Sequence, residues 1–311
     1  MISALLSYSV VIATLDRPAR LEITLRTLLA QTRPPAKIVI VDASRNDESR
    51  FRIEALDSAV PIDYRPAERA SSARQRNEGA ARVATPLIAF VDDDVVLPPA
   101  LFSRLIAPFE AKGGGNVGGV AGRIVGTGHP KPKGLLRCYY RILAGYDDPT
   151  YGARLFGAAI NTFPCYEEQV DSEDRNGLDG LIESEWLSST CVLFRRDLFE
   201  RERFPDFDGY SFMEDVHLSA RIGKTHRLFF DGKALYEHHS APTAFKRNKA
   251  ALASMAMRNR SIVAREVMGR RGLSLAWALF LLRLLNSAAI LKYRAPGWSE
   301  ELKGTWSRRA A

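Results

Sequence analysis

The chain has 311 residues, 46% of them hydrophobic and 26% charged, and its 44 Lys and Arg against 36 Asp and Glu give a formal net charge of +8. This composition excludes a disordered, collagen-like or polytopic membrane chain, and the length suits one large domain or two fused ones. The three cysteines (Cys138, Cys165 and Cys191) lie far apart with no Cys-x-x-Cys spacing, which excludes a disulfide framework or zinc knuckle and favours reduced thiols.

Met1 to Thr14 is apolar, but it lacks a basic n-region and an Ala-x-Ala-like exit and runs straight into Asp16-Arg17-Pro18. A buried first strand over Ser9–Ala13 is therefore expected rather than a signal peptide, with the catalytic part in the cytoplasm. Leu21, Leu25, Leu28 and Leu29 form a helical stripe after Pro18. Ile38–Val41 reads as a second strand ending at Asp42 and a polar turn, Ser44 to Asp47, followed by a short helix. Ile62–Tyr64 is a third strand, Ser71 opens a helix through Val83, and Leu87–Val91 is another buried strand. Continuous apolar strands alternating with helices predict an α/β fold whose sheet is mostly parallel and covered on both faces. Ligands of such sheets bind beyond the carboxyl ends of the strands, which singles out Thr14, Asp42 and Asp92 to Asp94.

The middle is less regular. Gly113–Gly119 and Gly126–Gly134 read as connections, and Tyr146 to Glu185 as loops that shape a second-substrate site. Regularity returns with a strand over Trp186–Phe194, a helix near Glu214, and strands around Arg227–Phe230 and Ala234–Tyr236. No internal repeat is visible.

Charge is unevenly spread. From Lys246 onward 14 basic residues meet three acids (Glu266, Glu300, Glu301), a net of +11, which leaves 30 basic and 33 acidic residues, a net of −3, in the first 245. Basic residues crowded at one end are not the reading face of a nucleic-acid binder, so no nucleic-acid partner is expected. They surround an apolar run from Leu273 to Leu291, interrupted only by Ser274, Arg283, Asn286 and Ser287. Nineteen helical residues reach about 28 Å, close to the roughly 30 Å of a hydrocarbon core. Arg270 and Arg271 before the run, Lys292 and Arg294 after it and Arg283 near its middle favour a helix lying in the headgroup region. A spanning helix and a buried core helix are the alternatives.

Asp92-Asp93-Asp94, directly after a five-residue apolar strand, is the sharpest feature. Three carboxylates at one strand end repel, and a divalent cation, Mn²⁺ or Mg²⁺, is the simplest way to stabilise them. Asp92 and Asp94 point the same way if strand geometry persists. The alternative is a solvated acidic turn.

Together with its surroundings the pattern gains specificity. Val10 to Thr14 with Arg17-Pro18, Gln31-Thr32, Ile38 to Asp42 with Ser44 and Asp47, Arg74-x-x-Asn77-x-Gly79, and Phe90 to Asp94 resemble, in order and spacing, the family 2 inverting glycosyltransferases of the GT-A fold. The resemblance continues at Phe212 to Val216, at Glu237-His238-His239, at Arg258-Asn259-Arg260, and at Trp186 to Arg196, which is similar to the family's acceptor-side strand. It implies a GT-A nucleotide-diphosphate-sugar transferase with a nucleotide-sugar-binding half (1–95), an acceptor-binding half of the same domain (96–245) and a basic helical C-terminal segment (246–311). Asp42 would accept a hydrogen bond from the base, with Thr14 and Arg74 lining the same pocket; a helix-capping turn is the alternative role for Asp42. Asp92 would contact ribose or metal, Asp93 would join the nucleotide-binding residues, and Asp94 would ligate the metal bridging the diphosphate. Asn77 and Gly79 would let their helix pack closely against the site.

Single-step inversion requires a base for the acceptor hydroxyl, and Asp215 is the first choice, with Glu214 second. The alternative is that both simply favour a helix N-terminus. His238 is the better match to the family's metal-ligating histidine, because Pro242 follows four residues on. Arg258 and Arg260 suit a diphosphate or, equally, a basic membrane-facing surface. Trp186 offers an acceptor-stacking face or a core side chain. The expected partners are a nucleotide-diphosphate sugar, uridine-linked by preference, a glycan or lipid-linked acceptor, and the inner face of the cell membrane. Two rivals remain: a phosphohydrolase of the haloacid dehalogenase type with Asp92 as nucleophile, and a non-catalytic nucleotide-binding scaffold at a membrane surface.

Overall fold

Strands rich in Val and Ile build the centre of the sheet, and a computed structural model describes residues 5–125, 180–184, 186–207, 212–239 and 248–307. Among these, 5–125, 180–184, 186–206 and 218–239 form one compact unit, and 207, 212–217 and 248–307 a second.

In the first unit, β1 (Tyr8–Thr14) pairs in parallel with β2 (Lys37–Asp42) and β4 (Leu87–Val91), and β2 with β3 (Ile62–Pro66). Beyond β4 the pairing changes. Strand β8 (Cys191–Arg195) runs antiparallel to both β4 and β6 (Val117–Ile124), and β9 (Arg227–His238) runs parallel to β6. The short strands β5 (Val95–Val96) and β7 (Leu181–Ser184) both pair antiparallel with β9. The nine strands thus make a mixed sheet, in which antiparallel β8 separates the parallel first half from the parallel β6–β9 pair, where a mostly parallel sheet was expected.

Period-two alternation sends Val10 and Ile12 to one face, against Leu21, Leu25 and Leu28 of α1 (Pro18–Leu29) and Phe102 and Leu105 of α4 (Leu101–Glu110). Val11, Val39, Val41 and Phe90 go to the other, against α3 (Ser72–Ala80), α5 (Arg196–Glu202) and Phe204. A short α2 (Glu48–Glu54) follows the polar turn.

Gly79 is required by this packing, since a Cβ there would stand 2.5 Å from Val11 Cγ1. The neighbouring Asn77 is equally committed: its Nδ2 donates to Phe204 O (2.8 Å) and its Oδ1 accepts from Phe204 N (3.1 Å).

Four expected elements differ. The glycines from Gly113 to Gly119 read as a connection, but Gly118 and Gly119 belong to β6, where a Cβ on Gly119 would meet the Phe194 ring at 2.6 Å. The strand expected from Trp186 begins only at Cys191, because residues 186–190 form an irregular approach and turn. The two strands expected after Arg227 are one twelve-residue strand with an irregular register against β6. There Asp231 Oδ1 accepts from Lys233 N and Ala234 N (2.9 and 3.2 Å), so the bulge's amides stay satisfied. Within the expected loop region from Tyr146, residues 181–184 form β7, while 146–179, Gly126–Gly134, Cys138 and Cys165 lie outside the described residues.

Helix α6 (Glu214–Ile222) gives its first turn to the second unit. That unit is otherwise built from α7 (Lys249–Glu266), α8 (Gly272–Tyr293) and α9 (Trp298–Thr305). Asn248 caps α7 by accepting from Ala251 N (3.0 Å), and Gly304 lets α9 cross α7 at the Ala250 carbonyl.

Candidate active site

Register brings the polar strand ends together. Thr14 and Asp42 are direct neighbours at the carboxyl ends of β1 and β2, and Gln75 Nε2 on α3 ties these ends by donating to Thr14 O (2.9 Å) and Val41 O (2.8 Å). Asp42 accepts from Ser44 N (2.7 Å) and Ser44 Oγ on one oxygen and from Tyr64 OH (3.0 Å) on the other. This is a local Asx turn rather than a helix cap, since the residue preceding α2 is Asp47. The oxygen bonded to Tyr64 keeps acceptor capacity for a further donor. Arg74, expected beside Asp42, pairs with Asp206 through its Nε (2.8 Å) and Nη2.

The three aspartates leave β4 in a turn, and their partners differ but overlap at Arg17. Arg76, buried with its guanidinium over the Phe204 ring, donates to Asp92 Oδ1 (2.7 Å). Asp93 turns toward β1: Thr14 Oγ1 donates to it at 2.6 Å and Arg17 Nη1 at 3.0 Å. The same Arg17 nitrogen reaches Asp94 Oδ2 at 2.9 Å. Burial pushes Asp93 up to about 6 against the pull of Thr14 and Arg17, and the neighbouring carboxylates add to the rise. Burial also opposes ionisation of Asp94, but His238 and Arg17 hold it below the ordinary carboxylate value.

His238 arrives through β9, which sets it opposite Val95 of β5, and His239 N extends the ladder to Asp94 O (2.8 Å). Its Nε2 stands 3.0 Å from Asp94 Oδ1, a buried oxygen that has no well-aligned hydrogen-bond donor. The His239 ring instead meets Glu237 (3.0 Å). One ligand atom each from Asp92, Asp94 and His238 lie within 4.8 Å of one another. A buried carboxylate oxygen without an aligned donor, facing an imidazole nitrogen, has the placement of a metal ligand, and the set fits a divalent cation.

Trp186 is half-buried in the approach to β8, where Ser184 Oγ donates to its carbonyl (2.6 Å). In the second unit, Met213 adopts φ 70°, a strained conformation for a side chain of its size, immediately before α6. Glu214 is buried, and Asp215 is half-buried with Oδ1 accepting from Val216 N (2.8 Å). Asn259 Nδ2 holds Phe212 O (2.9 Å), and Arg260 lies over the Phe212 ring. Arg260 is 8% exposed, its Nε has no hydrogen-bond partner, and burial brings its pKa down to about 10. Arg258 is half-buried beside it.

Sequence reasoning gave no site role to Gln75, Arg76 or Arg17. The signal was present for the first two, as polar side chains on the face of α3 that Ala73 and Gly79 turn toward the sheet.

The family model described as Glycosyl transferase family 2 matches residues 9–202. The chain is similar to validoxylamine A glucosyltransferase of Streptomyces hygroscopicus subsp. limoneus, with 35% identity over 105 residues, 32% of this chain and 23% of the relative. It is also similar to the uncharacterized glycosyltransferase alr2836 of Nostoc sp., with 31% identity over 33% of this chain and 32% of the relative. The matches thus span a third or less of either relative's length.

Among solved structures, the mannosyltransferase PcManGT of Pyrobaculum calidifontis, in complex with GDP-Man and Mn²⁺, matches with a TM-score of 0.58 at 14% identity, over 99% of this chain and 86% of its own. S. aureus TarS 1-349 in complex with UDP-GlcNAc matches with a TM-score of 0.56 at 14% identity, over 96% and 79%. The mixed sheet with its C-terminal helices is the fold of the GT-A glycosyltransferases.

Proposed function

The chain belongs to glycosyl transferase family 2, and we propose that it moves a sugar, with inversion, from a nucleotide-diphosphate-sugar donor to a hydroxyl of a glycan or lipid-linked acceptor. The observation that carries this is the cluster of Asp92, Asp94 and His238 at the carboxyl end of β4, with Asp94 Oδ1 buried and lacking an aligned donor. Support for the donor class comes from the structural neighbours, one in complex with GDP-Man and Mn²⁺ and one with UDP-GlcNAc. A uridine-linked donor is our first choice. The Asp-x-Asp follows the fourth strand of the sheet, where a phosphohydrolase nucleophile would end the first.

An imidazole among oxygen donors suits Mn²⁺ better than Mg²⁺. Asp92, Asp94 and His238 would hold Mn²⁺, which when bound neutralises charge gathering on the departing nucleoside diphosphate. Asp42 accepts from the base, with Tyr64 and Ser44 fixing its carboxylate. Asp93 holds Thr14 and Arg17 rather than the metal, and so fixes the floor of the site. Arg260 would pair with a diphosphate oxygen, as guanidinium groups do. Arg258 would serve the same group. Asp215 accepts the proton of the acceptor hydroxyl at a carboxylate oxygen, and Glu214, more deeply buried, orients the start of α6. Trp186 is assigned to the acceptor side.

Asp215→Asn tests the base. A loss of kcat of about 100-fold or more with donor affinity kept is expected, and retention of more than about a tenth of kcat would contradict the assignment. NMR of the product made from an α-linked donor should show a β-linkage, and an α-linked product would exclude single-step inversion.

A further inference from the structure

Helix α8 is apolar all round, yet it has two distinct sides. One is held by α7 and α9: Asn286 Nδ2 donates to Met257 Sδ (3.7 Å), and Ser287 Oγ accepts from Trp306 Nε1 (2.9 Å). On the other, Leu273, Trp277, Phe280, Leu284, Ala288 and Leu291 recur every three or four residues, and all six stand exposed. Leu273 is 91% and Trp277 59% exposed. The stripe continues through rings to the residue that follows α9, Trp277 stacking on Phe280 (5.9 Å) and Phe280 meeting Trp306 edge-on (6.3 Å). Soluble surfaces rarely leave so long an apolar strip uncovered, so something occupies it.

The charge pattern says what. No acidic residue occurs between Glu266 and Glu300, while Arg270, Arg271, Arg283, Lys292 and Arg294 all fall there. The guanidinium of Arg283 lies over the Trp306 ring and that of Arg294 over Trp298, each at 5.9 Å. Tryptophans with arginines, ranged along an apolar stripe, match the headgroup level of a bilayer with negative surface charge. A second copy of the chain would set this positive rim against itself. A spanning course would carry α7, with Arg258, Asn259, Arg260 and Arg265, toward the hydrocarbon at about 2.5–3.5 kcal/mol per charged residue.

We propose that the exposed stripe of α8, with Trp306, lies in the headgroup region of an anionic lipid bilayer, its axis parallel to the membrane plane and its basic rim on the lipid phosphates. The inference stands independently of the transfer chemistry.

The full chain should be floated with phosphatidylcholine vesicles and with vesicles containing phosphatidylglycerol. The expected result is association at least about tenfold stronger with the anionic vesicles, weakened by high salt and released by alkaline carbonate. Trp277→Ser with Phe280→Ser and Leu284→Ser should abolish it while nucleotide binding persists. If that variant does not fold, Arg271→Glu with Lys292→Glu tests the same surface and should remove the preference for anionic lipid. Three results overturn the proposal: equal, salt-insensitive association with both vesicles, retention through carbonate, or vesicle-indifferent dimers that the serine variant disperses.

Discussion

The three carboxylates of the site are held by different sets of groups. Arg76 fixes Asp92, Thr14 and Arg17 fix Asp93, and Asp94 shares Arg17 on one oxygen while its other, buried oxygen faces His238. Arg76 acts by orienting Asp92. Arg76→Met should weaken Mn²⁺ binding by about 10- to 100-fold, the usual cost of losing an outer partner of a metal ligand. Mn²⁺ paramagnetic-resonance titration reads this, and an unchanged affinity would remove Arg76 from the metal site. Far from the site, burial would raise Asp63, but Lys37, Arg82 and Arg65 together hold it well below the ordinary carboxylate value. A depressed folded-state value means that these pairs stabilise above the unfolded value of about 4 and fade as pH falls below it. Asp63→Asn should therefore cost about 1 kcal/mol at pH 7 and progressively less as pH falls below about 4, read from urea unfolding at pH 7 and at pH 3.

Elements decide where those residues stand. The first hundred residues were legible because strand, turn and helix each carry their own signal there: β-branched runs, Asp and Ser turns, a leucine stripe after Pro18. The carboxylate turn and the choice of His238 followed from that part and from the family resemblance. Strand β6 was not legible, since its glycines, needed to clear Phe194, His226 and Ala234, look like a connection. Strand β9 looked like two because Gly232 and Lys233 interrupt its apolar run, while the Asp231 side chain that bridges the bulge is a long-range choice involving Arg104. The pairing of Arg74 with Asp206, 132 residues away, was beyond any local pattern. Gly79→Ala tests the element scale. With its new methyl 2.5 Å from Val11 Cγ1, it should cost about 1–3 kcal/mol in unfolding free energy and displace Gln75 and Arg76 with the helix. A stability within about 0.5 kcal/mol of the parent would show that α3 does not need this close approach.

The residues proposed for the donor (14–94, 238, 258 and 260) and the basic apolar surface (270–306) occupy different parts of the sequence. Ligand binding to the folded state raises its stability by mass action, by about 2.7 kcal/mol at a hundredfold excess over Kd. The unfolding midpoint should therefore rise when nucleotide and Mn²⁺ are added together and barely move with nucleotide alone; an equal rise with EDTA present would break the link between metal and nucleotide. Calorimetric titration of the full chain with UDP, GDP, dTDP and CDP, each with and without Mn²⁺ and beside Asp94→Ala, is the most direct test of the transferase site. One nucleotide should bind in a metal-dependent way, with that binding lost in Asp94→Ala. No binding of any nucleotide under either condition would contradict the assignment of this site to a nucleotide-sugar donor.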